Sequence, residues 1–297
     1  MTHPSTHLKY PQQDDIRIAI VGDLHTYWDD VDLIQFADSH YDLLFFTGDL
    51  GGGTAGSSLQ VAKRISRLRS PTLVMPGNND THDIAALGSE FALQNGLAML
   101  SQLERIGSLD HELLSLVGYS NHRLTSRSQD VTLIAARPHS MGGQLLSFPE
   151  RLLEAYGIEN LDQSIERLKQ LIDACQTEHI VFLGHNGPYG LGDNPDDIWG
   201  CDFKTDGGDW GDPDLAAAIA YAKAQGKQVL AVIAGHMHLH TKCGRQRPWL
   251  FEKDHVKYIN AARVPRIFSQ QQATFRHHIE LVLSEHQVSI REMHIAE

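Results

Sequence analysis

The chain has 297 residues, of which 41% are hydrophobic, and this length fits one large α/β domain or two smaller ones. Its formal net charge of −12 argues against a broad basic surface for nucleic acids, although a local phosphate site is compatible with it. The three cysteines are far apart and odd in number, which argues against a disulfide framework. A reducing, cytoplasmic location is therefore expected. The N-terminal segment is polar, unlike a signal peptide, and no apolar run is long enough to span a bilayer.

The first part of the chain alternates between apolar runs and amphipathic segments. The runs 16–21, 43–47 and 72–75 are typical of strands that are buried on both faces. Helical periodicity predicts helices over 29–39 and 57–69, between these runs. This β-α-β-α-β order implies right-handed crossovers and a sheet that begins with parallel strands.

The rest of the chain is less regular. Further elements are predicted as strands over 113–117, 131–136, 180–183 and 229–234, two helices within 148–175, a helix over 212–225 that Asp212 caps, and a hairpin over 274–295. We interpret residues 1–15 as a polar tail and 16–297 as a single domain, with inserted loops near 140–178 and 186–212. Loops of such length within a domain are often functional.

Five of the apolar runs end in a glycine that precedes a residue of metal-ligand type. The motifs are Gly22-Asp23-Leu24-His25, Gly48-Asp49, Gly77-Asn78, Gly184-His185 and Gly235-His236-Met237-His238. In open α/β sheets, binding sites form beyond the carboxyl ends of the strands, and glycine allows a sharp turn there. A single Gly-Asp is usually a turn, and a single His-x-His is more often surface or core than a metal site. Five such motifs in order are hard to explain as turns, and they predict one shared site.

The donor atoms of this set have a specific chemistry. Carboxylate and imidazole together suit Mn, Fe, Co, Ni or Zn rather than Ca or Mg. The seven candidate ligands are too many for one tetrahedral ion, and they suit two ions, about 3.5–4 Å apart, that share a carboxylate. Such a pair lowers the pKa of a bound water and holds the oxygens of a phosphoryl group. The sequence therefore predicts a two-metal site of the kind found in two-metal hydrolases.

In this order, the motifs resemble those of the calcineurin-like metallophosphoesterase superfamily, over about residues 16–238. The resemblance implies an α/β fold, a four-layer α/β/β/α sandwich, with the dimetal site at the C-terminal ends of the strands. It implies Mn, Fe or Zn as the two divalent ions and attack of a metal-bridging hydroxide on phosphorus. The implied ligands are Asp23, His25 and His238 for one ion, Asn78, His185 and His236 for the other, and Asp49 as the bridge.

The stretch Gly77-Asn78-Asn79-Asp80 departs from the family pattern. Many members have, in the place of Asn79, a histidine that contacts the phosphate or protonates the leaving group. An amide donates a hydrogen bond to a phosphate oxygen but cannot act as a general acid near neutral pH. We therefore predict that Asn79 is a catalytic-site contact and that leaving groups of low pKa react best, which favours phosphodiesters slightly over phosphomonoesters.

Two neighbours of Asn79 have a predicted role and a simpler alternative. His82 is a candidate for the missing catalytic proton donor, and an exposed surface residue is the alternative. Asp80, which would orient the histidine in other members, is predicted to cap the following helix.

Three further residues are candidates for substrate binding. Arg137 and His139 follow a predicted strand, and Asn186 directly follows His185. Arginine is well suited to a phosphate, and the alternative for each residue is an ordinary loop position. The acidic loop 202–214 is either a rim that selects substrates or a solvated face. The expected substrate is a phosphorylated small molecule or a nucleotide-like compound.

Two other functional classes stay open at this point. The segment 51–56 contains a Gly-x-Gly-x-x-Gly match, as in dinucleotide-binding oxidoreductases, but the acidic residue expected after the next strand is absent. The second alternative is a non-catalytic metal-binding scaffold of the same fold. Asn79 favours that alternative, and the complete set of candidate ligands argues against it.

Overall fold

The computed structural model describes residues 6–103, 114–285 and 287–297. Its elements in chain order are β1 (Thr6–Tyr10), β2 (Ile16–Val21), α1 (Asp30–Ala37), β3 (Leu43–Phe46), α2 (Ser57–Ile65), β4 (Thr72–Val74), a 3₁₀ turn (Asn78–Asp80), α3 (Ile84–Leu103), β5 (Leu114–Leu116), β6 (Ser120–Ser126), β7 (Asp130–Ala135), α4 (Pro149–Tyr156), α5 (Leu161–Asp173), β8 (His179–Leu183), α6 (Pro213–Ala224), β9 (Gln228–Ala234), β10 (Leu250–Lys253), β11 (Val256–Asn260), β12 (Ile267–Gln270), β13 (Ala273–Ser284) and β14 (Gln287–Ala296). No helix within the described ranges has the length and apolarity needed to cross a membrane.

Two seven-stranded sheets form the centre of the molecule. One, the β8 sheet, has the order β1-β6-β7-β8-β9-β11-β10, and the other, the β2 sheet, has the order β12-β13-β2-β3-β4-β5, with β14 paired to β13. Strands β2, β3, β4 and β5 are parallel, as are β7, β8, β9 and β11. The predicted parallel start of the sheet is therefore confirmed, and both sheets contain parallel strands whose carboxyl ends can build a site.

Apolar side chains cover both faces of each sheet and produce four layers. In β2, Ile18 and Ile20 point into the core between the sheets, whereas Ala19 and Val21 point towards the helices. This alternation follows from the geometry of a strand, and it explains why the sequence of β2 is apolar almost throughout. Helices α1, α2 and α3 cover the β2 sheet, and α4, α5 and α6 cover the β8 sheet. The predicted α/β/β/α sandwich is confirmed.

Two segments differ from the sequence-based expectation. Residues 6–10, predicted to belong to a polar tail, form β1, which pairs with β6 in parallel. Only Leu8 of this edge strand is buried, so its sequence lacks a clear apolar pattern. The segment near 140–178, predicted as an inserted loop, contains the two helices predicted within 148–175, and these helices, α4 and α5, form the crossover between the parallel strands β7 and β8.

Candidate metal centre

The predicted ligand residues meet where strands of both sheets end. Asp23, Asp49 and Asn78 follow β2, β3 and β4 of the β2 sheet. His185 and His236 follow β8 and β9 of the β8 sheet. Because the two sheets pack face to face, the carboxyl ends of these five strands lie at one edge of the sandwich. The site therefore spans the junction between the sheets.

The ligand-type side chains form two groups, each with ligand atoms within 4.8 Å of one another: Asp23, His25 and His238, and Asp49, His185 and His236. In the first group, the Nε2 atoms of His25 and His238 lie 3.0 Å apart. Beside the second group, Oδ1 of Asn78 lies 3.0 Å from Nε2 of His185. The first group contains the three residues of one implied ligand set, and the second contains His185 and His236 of the other set together with Asp49.

Asp49 belongs to the second group and faces the first as well. Its Oδ2 is 3.7 Å from Nε2 of His25, and its Oδ1 is 3.6 Å from Nε2 of His185. The backbone of Asp49 has a φ of 48°, and the ligand residues His25 and His236 have φ values of 43° and 67°. Non-glycine residues rarely adopt this left-handed conformation, and such strain is concentrated at functional sites. Asp49 thus lies within 4 Å of a histidine of each group.

Close packing explains why glycine precedes two of the ligand positions. A Cβ atom on Gly77 would lie 2.2 Å from Oδ1 of Asp49. A Cβ atom on Gly235 would lie 2.1 Å from Oδ1 of Asp23. Both distances are far shorter than any van der Waals contact, so a larger residue at either position would displace a ligand carboxylate.

Thr47 orients ligands of both groups, and the sequence analysis did not identify it. Its Oγ1 donates a hydrogen bond to Oδ1 of Asp23 at 2.9 Å, and its carbonyl accepts one from Nδ1 of His185 at 2.8 Å. A protonated Nδ1 leaves the Nε2 lone pair of His185 free for a metal ion. The only sequence signal for this role is the position of Thr47 directly before Gly48-Asp49.

A Thr47→Val variant is expected to bind Mn²⁺ about 10- to 100-fold more weakly, because valine keeps the shape but not the hydrogen bond to Asp23. The measurement is a calorimetric Mn²⁺ titration of the metal-free protein. Thr72→Val is the matched control, because Thr72 is also buried in the β2 sheet and its hydroxyl contacts only the carbonyl of Ser70. Equal Mn²⁺ affinities of the two variants would contradict the role of Thr47.

The electrostatics of the site fit bound cations. Burial raises the pKa of Asp49 to about 6, and burial together with the charge of Asp49 raises the pKa of Asp23 well above its ordinary value. Burial also lowers the pKa to about 3 for His185 and His236 and to about 4 for His238, so these imidazoles are neutral near pH 7. Among the described residues, no lysine or arginine pairs with either aspartate. Buried carboxylates without a partner cation, beside neutral imidazoles, suit divalent transition metals.

Asn79 points into the site, whereas His82 does not. The Nδ2 and backbone N–H of Asn79 donate to Oδ2 and Oδ1 of Asp49, each at 2.8 Å, and Asn79 lines the cavity above the metal centre. His82 is exposed and is absent from the residues that line this cavity. The structure therefore gives no support to His82 as a proton donor.

Asp80 has a different role from the predicted helix cap. Its buried carboxylate accepts hydrogen bonds from the backbone N–H groups of Leu50 and Gly77, each at 2.9 Å, and from the hydroxyl of Ser58 at 2.7 Å. The cap prediction is wrong because the carboxylate points back into its own turn, while the next helix begins at Ile84. Asp80 thus fixes the turn that carries Asn78 to the loop that carries Asp49.

Arg137 does not face the cavity. Its buried guanidinium lies 2.8 Å from Oδ2 of Asp214 and 3.0 Å from Oδ1 of Asp212, so its charge is neutralised inside the fold. The predicted phosphate contact is therefore not supported. Asp212, predicted to cap α6, makes no capping hydrogen bond, because it accepts from the hydroxyl of Ser140 and pairs with Arg137 instead.

His139 and Asn186 are buried and position other parts of the site. Nδ1 of His139 donates to the carbonyl of Gly77 at 3.0 Å, directly before the candidate ligand Asn78. Nδ2 of Asn186 donates to the carbonyl of Trp210 at 2.9 Å. Neither residue lines the cavity, so the structure supports positioning roles and not the predicted contacts with substrate.

A cavity of about 550 Å³ opens above the metal centre, and the predicted acidic loop 202–214 forms part of its rim. The loop contributes Phe203, Lys204 and Trp210 to the lining. Most of its carboxylates serve the fold, as when Asp209 accepts hydrogen bonds from the backbone N–H groups of residues 190–192 at 2.7, 2.8 and 2.9 Å. The loop is a rim, but its aromatic and lysine side chains face the cavity together with only one carboxylate.

Comparison with known families identifies the family of the chain. Residues 16–240, more than half of the chain, match the family model described as calcineurin-like phosphoesterase. The protein is a metal-dependent phosphoesterase, as predicted from the motifs. The chain belongs to the calcineurin-like phosphoesterase family. This membership argues against the dinucleotide-binding oxidoreductase.

One solved structure supports the fold, and two others are similar to the chain at lower TM-scores. One crystal structure, 10% identical, superposes with a TM-score of 0.58 and covers 94% of this chain and 99% of its own. A novel phosphatase from Mycoplasma pneumoniae has a TM-score of 0.45 at 9% identity, covering 96% of this chain and 95% of its own. A conserved uncharacterized protein from Streptococcus pneumoniae TIGR4, described as a predicted phosphoesterase, has a TM-score of 0.31 at 9% identity, covering 95% and 99%. None of the curated proteins compared with the chain matches it.

Proposed function

We propose that the protein hydrolyses phosphoesters with two divalent transition-metal ions, Mn, Fe or Zn, and that it prefers phosphodiesters slightly over phosphomonoesters. The observation that carries this proposal is the position of Asp49 between two ligand groups on the floor of a cavity. Two ions bound there would lower the pKa of a water and hold the oxygens of the phosphoryl group.

The side chains of the site would have two roles, metal binding and contact with the phosphate. The ions would be held by Asp23, His25 and His238, by Asn78, His185 and His236, and by Asp49 as the shared ligand. Asn79 has an amide that donates to Asp49 and lines the cavity, so a phosphate oxygen beside Asp49 would be within its reach. This amide has no proton to transfer near neutral pH, and a leaving group that departs as a stable anion therefore reacts fastest.

The test is hydrolysis of bis(4-nitrophenyl) phosphate and 4-nitrophenyl phosphate by the Mn²⁺-loaded protein. We expect turnover of both, with the diester faster, and no turnover after the metal is removed with a chelator. A protein that binds two Mn²⁺ ions per chain but hydrolyses neither compound would replace this proposal with the non-catalytic scaffold. A faster monoester would overturn the diester preference alone.

We further propose a small phosphorylated or nucleotide-like substrate and a cytoplasmic location. A cavity of about 550 Å³ has the size of ordinary small-molecule sites, which supports the first proposal. Cys175, Cys201 and Cys243 are free thiols, which supports a reducing compartment.

A further inference from the structure

One side of the cavity, beyond the metal ligands, is apolar. The residues that form it, which we call the apolar wall, are Met141, Leu145, Leu146, Phe203 and Trp210. Met141, Leu145 and Phe203 are 50%, 81% and 41% exposed. Large apolar side chains that are left in water beside a polar site are typical of a surface that a ligand covers.

The apolar wall is formed before any ligand binds. Nε1 of Trp210 donates to the carbonyl of Met141 at 2.7 Å, which joins the two loops that build the wall. A Cβ atom on Gly142 would lie 2.4 Å from the Trp210 ring, so the backbone packs directly against the indole. The ring of Phe203 meets that of Trp210 edge-on, with centroids 5.2 Å apart. A ligand would therefore bind here without first ordering these loops.

Two lysines bring positive charge to the same side of the cavity in a chain of net charge −12. Nζ of Lys204 and Nζ of Lys242 lie 4.2 and 5.6 Å from the centroids of the two aromatic rings of the apolar wall. Within the part of the chain that the structure describes, no carboxylate pairs with either ammonium group. Asp202, which also lines the cavity, is paired with Arg247 at 2.9 Å. The two ammonium charges are thus free to meet an anion.

We propose that the apolar wall and the two lysines bind the organic part of the substrate, and that this part is an aromatic ring bearing a second anionic group. The inference rests on the proposed function, because it places the scissile phosphate on the metal ligands of the same cavity. The ring packs against the rings of the apolar wall, and the anion lies near Lys204 and Lys242. Continuity with the metal centre and the unpaired positive charge select this chemistry over an uncharged acyl chain.

Three non-hydrolysable phosphonates test this inference by calorimetric binding to the Mn²⁺-loaded protein. Methylphosphonate supplies only the phosphoryl group, phenylphosphonate adds the ring, and (4-carboxyphenyl)phosphonate adds the second anion. We expect phenylphosphonate to bind about tenfold more tightly than methylphosphonate. We expect (4-carboxyphenyl)phosphonate to bind about threefold more tightly than phenylphosphonate, and this difference in affinity should disappear at high salt.

Matched variants assign each gain to its residues. Phe203→Ala should abolish most of the phenyl gain, and the double change Lys204→Gln and Lys242→Gln should abolish the carboxylate gain. Phe251→Ala and Lys253→Gln are the controls, because Phe251 is also 41% exposed and both residues lie on β10, away from the cavity lining. The controls should keep both gains.

The outcomes separate this inference from the proposed function. Equal binding of the three phosphonates to wild type, or gains that persist in the Phe203 and lysine variants, would overturn the substrate chemistry and leave the hydrolase intact. Failure of all three to bind the Mn²⁺-loaded protein would overturn the proposed function, and this inference with it.

Discussion

An Asp49→Asn variant is expected to be more than about 100-fold less active than wild type on bis(4-nitrophenyl) phosphate. The carboxylate of Asp49 contacts ligands of both groups, and an amide in its place removes the negative charge that two adjacent cations would share. The measurements are kcat/KM and the Mn²⁺ content per chain, which should fall below two. Full activity of this variant would contradict the dimetal mechanism.

The stability of the metal-free Asp49→Asn variant is the control for damage to the fold. The pKa of Asp49 is raised by burial from 3.8 to about 6, so the folded state binds this proton more tightly than the unfolded state. Ionisation of Asp49 therefore destabilises the metal-free fold as the pH rises from 3.8 to about 6. At neutral pH the amide avoids that cost but loses one of the two hydrogen bonds from Asn79, so the free energy of unfolding of the metal-free variant should stay close to that of wild type. A clear decrease would attribute the lost activity to a damaged fold.

An Asn79→His variant is expected to hydrolyse phosphoesters of alkyl alcohols about tenfold faster than wild type. General acids typically contribute about 10²- to 10⁴-fold, and alkoxide leaving groups need a proton most. The expected gain lies below that range because the buried carboxylate of Asp80 already accepts hydrogen bonds from Leu50, Ser58 and Gly77 and is not free to orient the introduced imidazole. The measurement is kcat for methyl and 4-nitrophenyl esters side by side.

The leaving-group dependence identifies the cause of any gain. If the imidazole donates a proton, the rates for 4-nitrophenyl esters should change little, since 4-nitrophenolate departs unaided. Asn79→Gln is the matched control, because it keeps an amide and provides no acid. Equal rate changes for both classes of ester would indicate altered phosphate binding, and no gain on alkyl esters would show that proton donation at this position is not what limits turnover.

The clustering of the candidate ligands was predictable from sequence because each candidate lies close in sequence to the end of a strand. Each ligand follows an apolar strand within a few residues, and parallel strands bring such positions to one edge whatever the rest of the chain does. Strands β2, β3 and β4 were recognisable for a related reason, since burial on both faces makes their sequences apolar almost throughout.

The features that were missed depend on partners that are distant in sequence. Arg137 follows a strand as the ligands do, but the aspartates that neutralise it are 75 and 77 positions further along the chain. The sequence around Arg137 therefore gives no signal of its ion pairs with Asp212 and Asp214. The edge strand β1 is polar because only Leu8 is buried, and its existence depends on β6, more than 100 positions away. The apolar wall is likewise built from two loops that only the folded chain brings together.

The division of the candidate ligands between the two sheets links metal binding to the stability of the fold. Contacts such as that between His25 and His238 join residues 213 positions apart, and the contact between Asn78 and His185 joins residues 107 apart. A chain in which either sheet is unfolded, or in which the sheets have not docked, lacks half of the donors. Metal ions that bind only the native state stabilise it by mass action, so bound ions would stabilise the docking of the two sheets. The affinity for metal would then depend on whether the whole sandwich is folded.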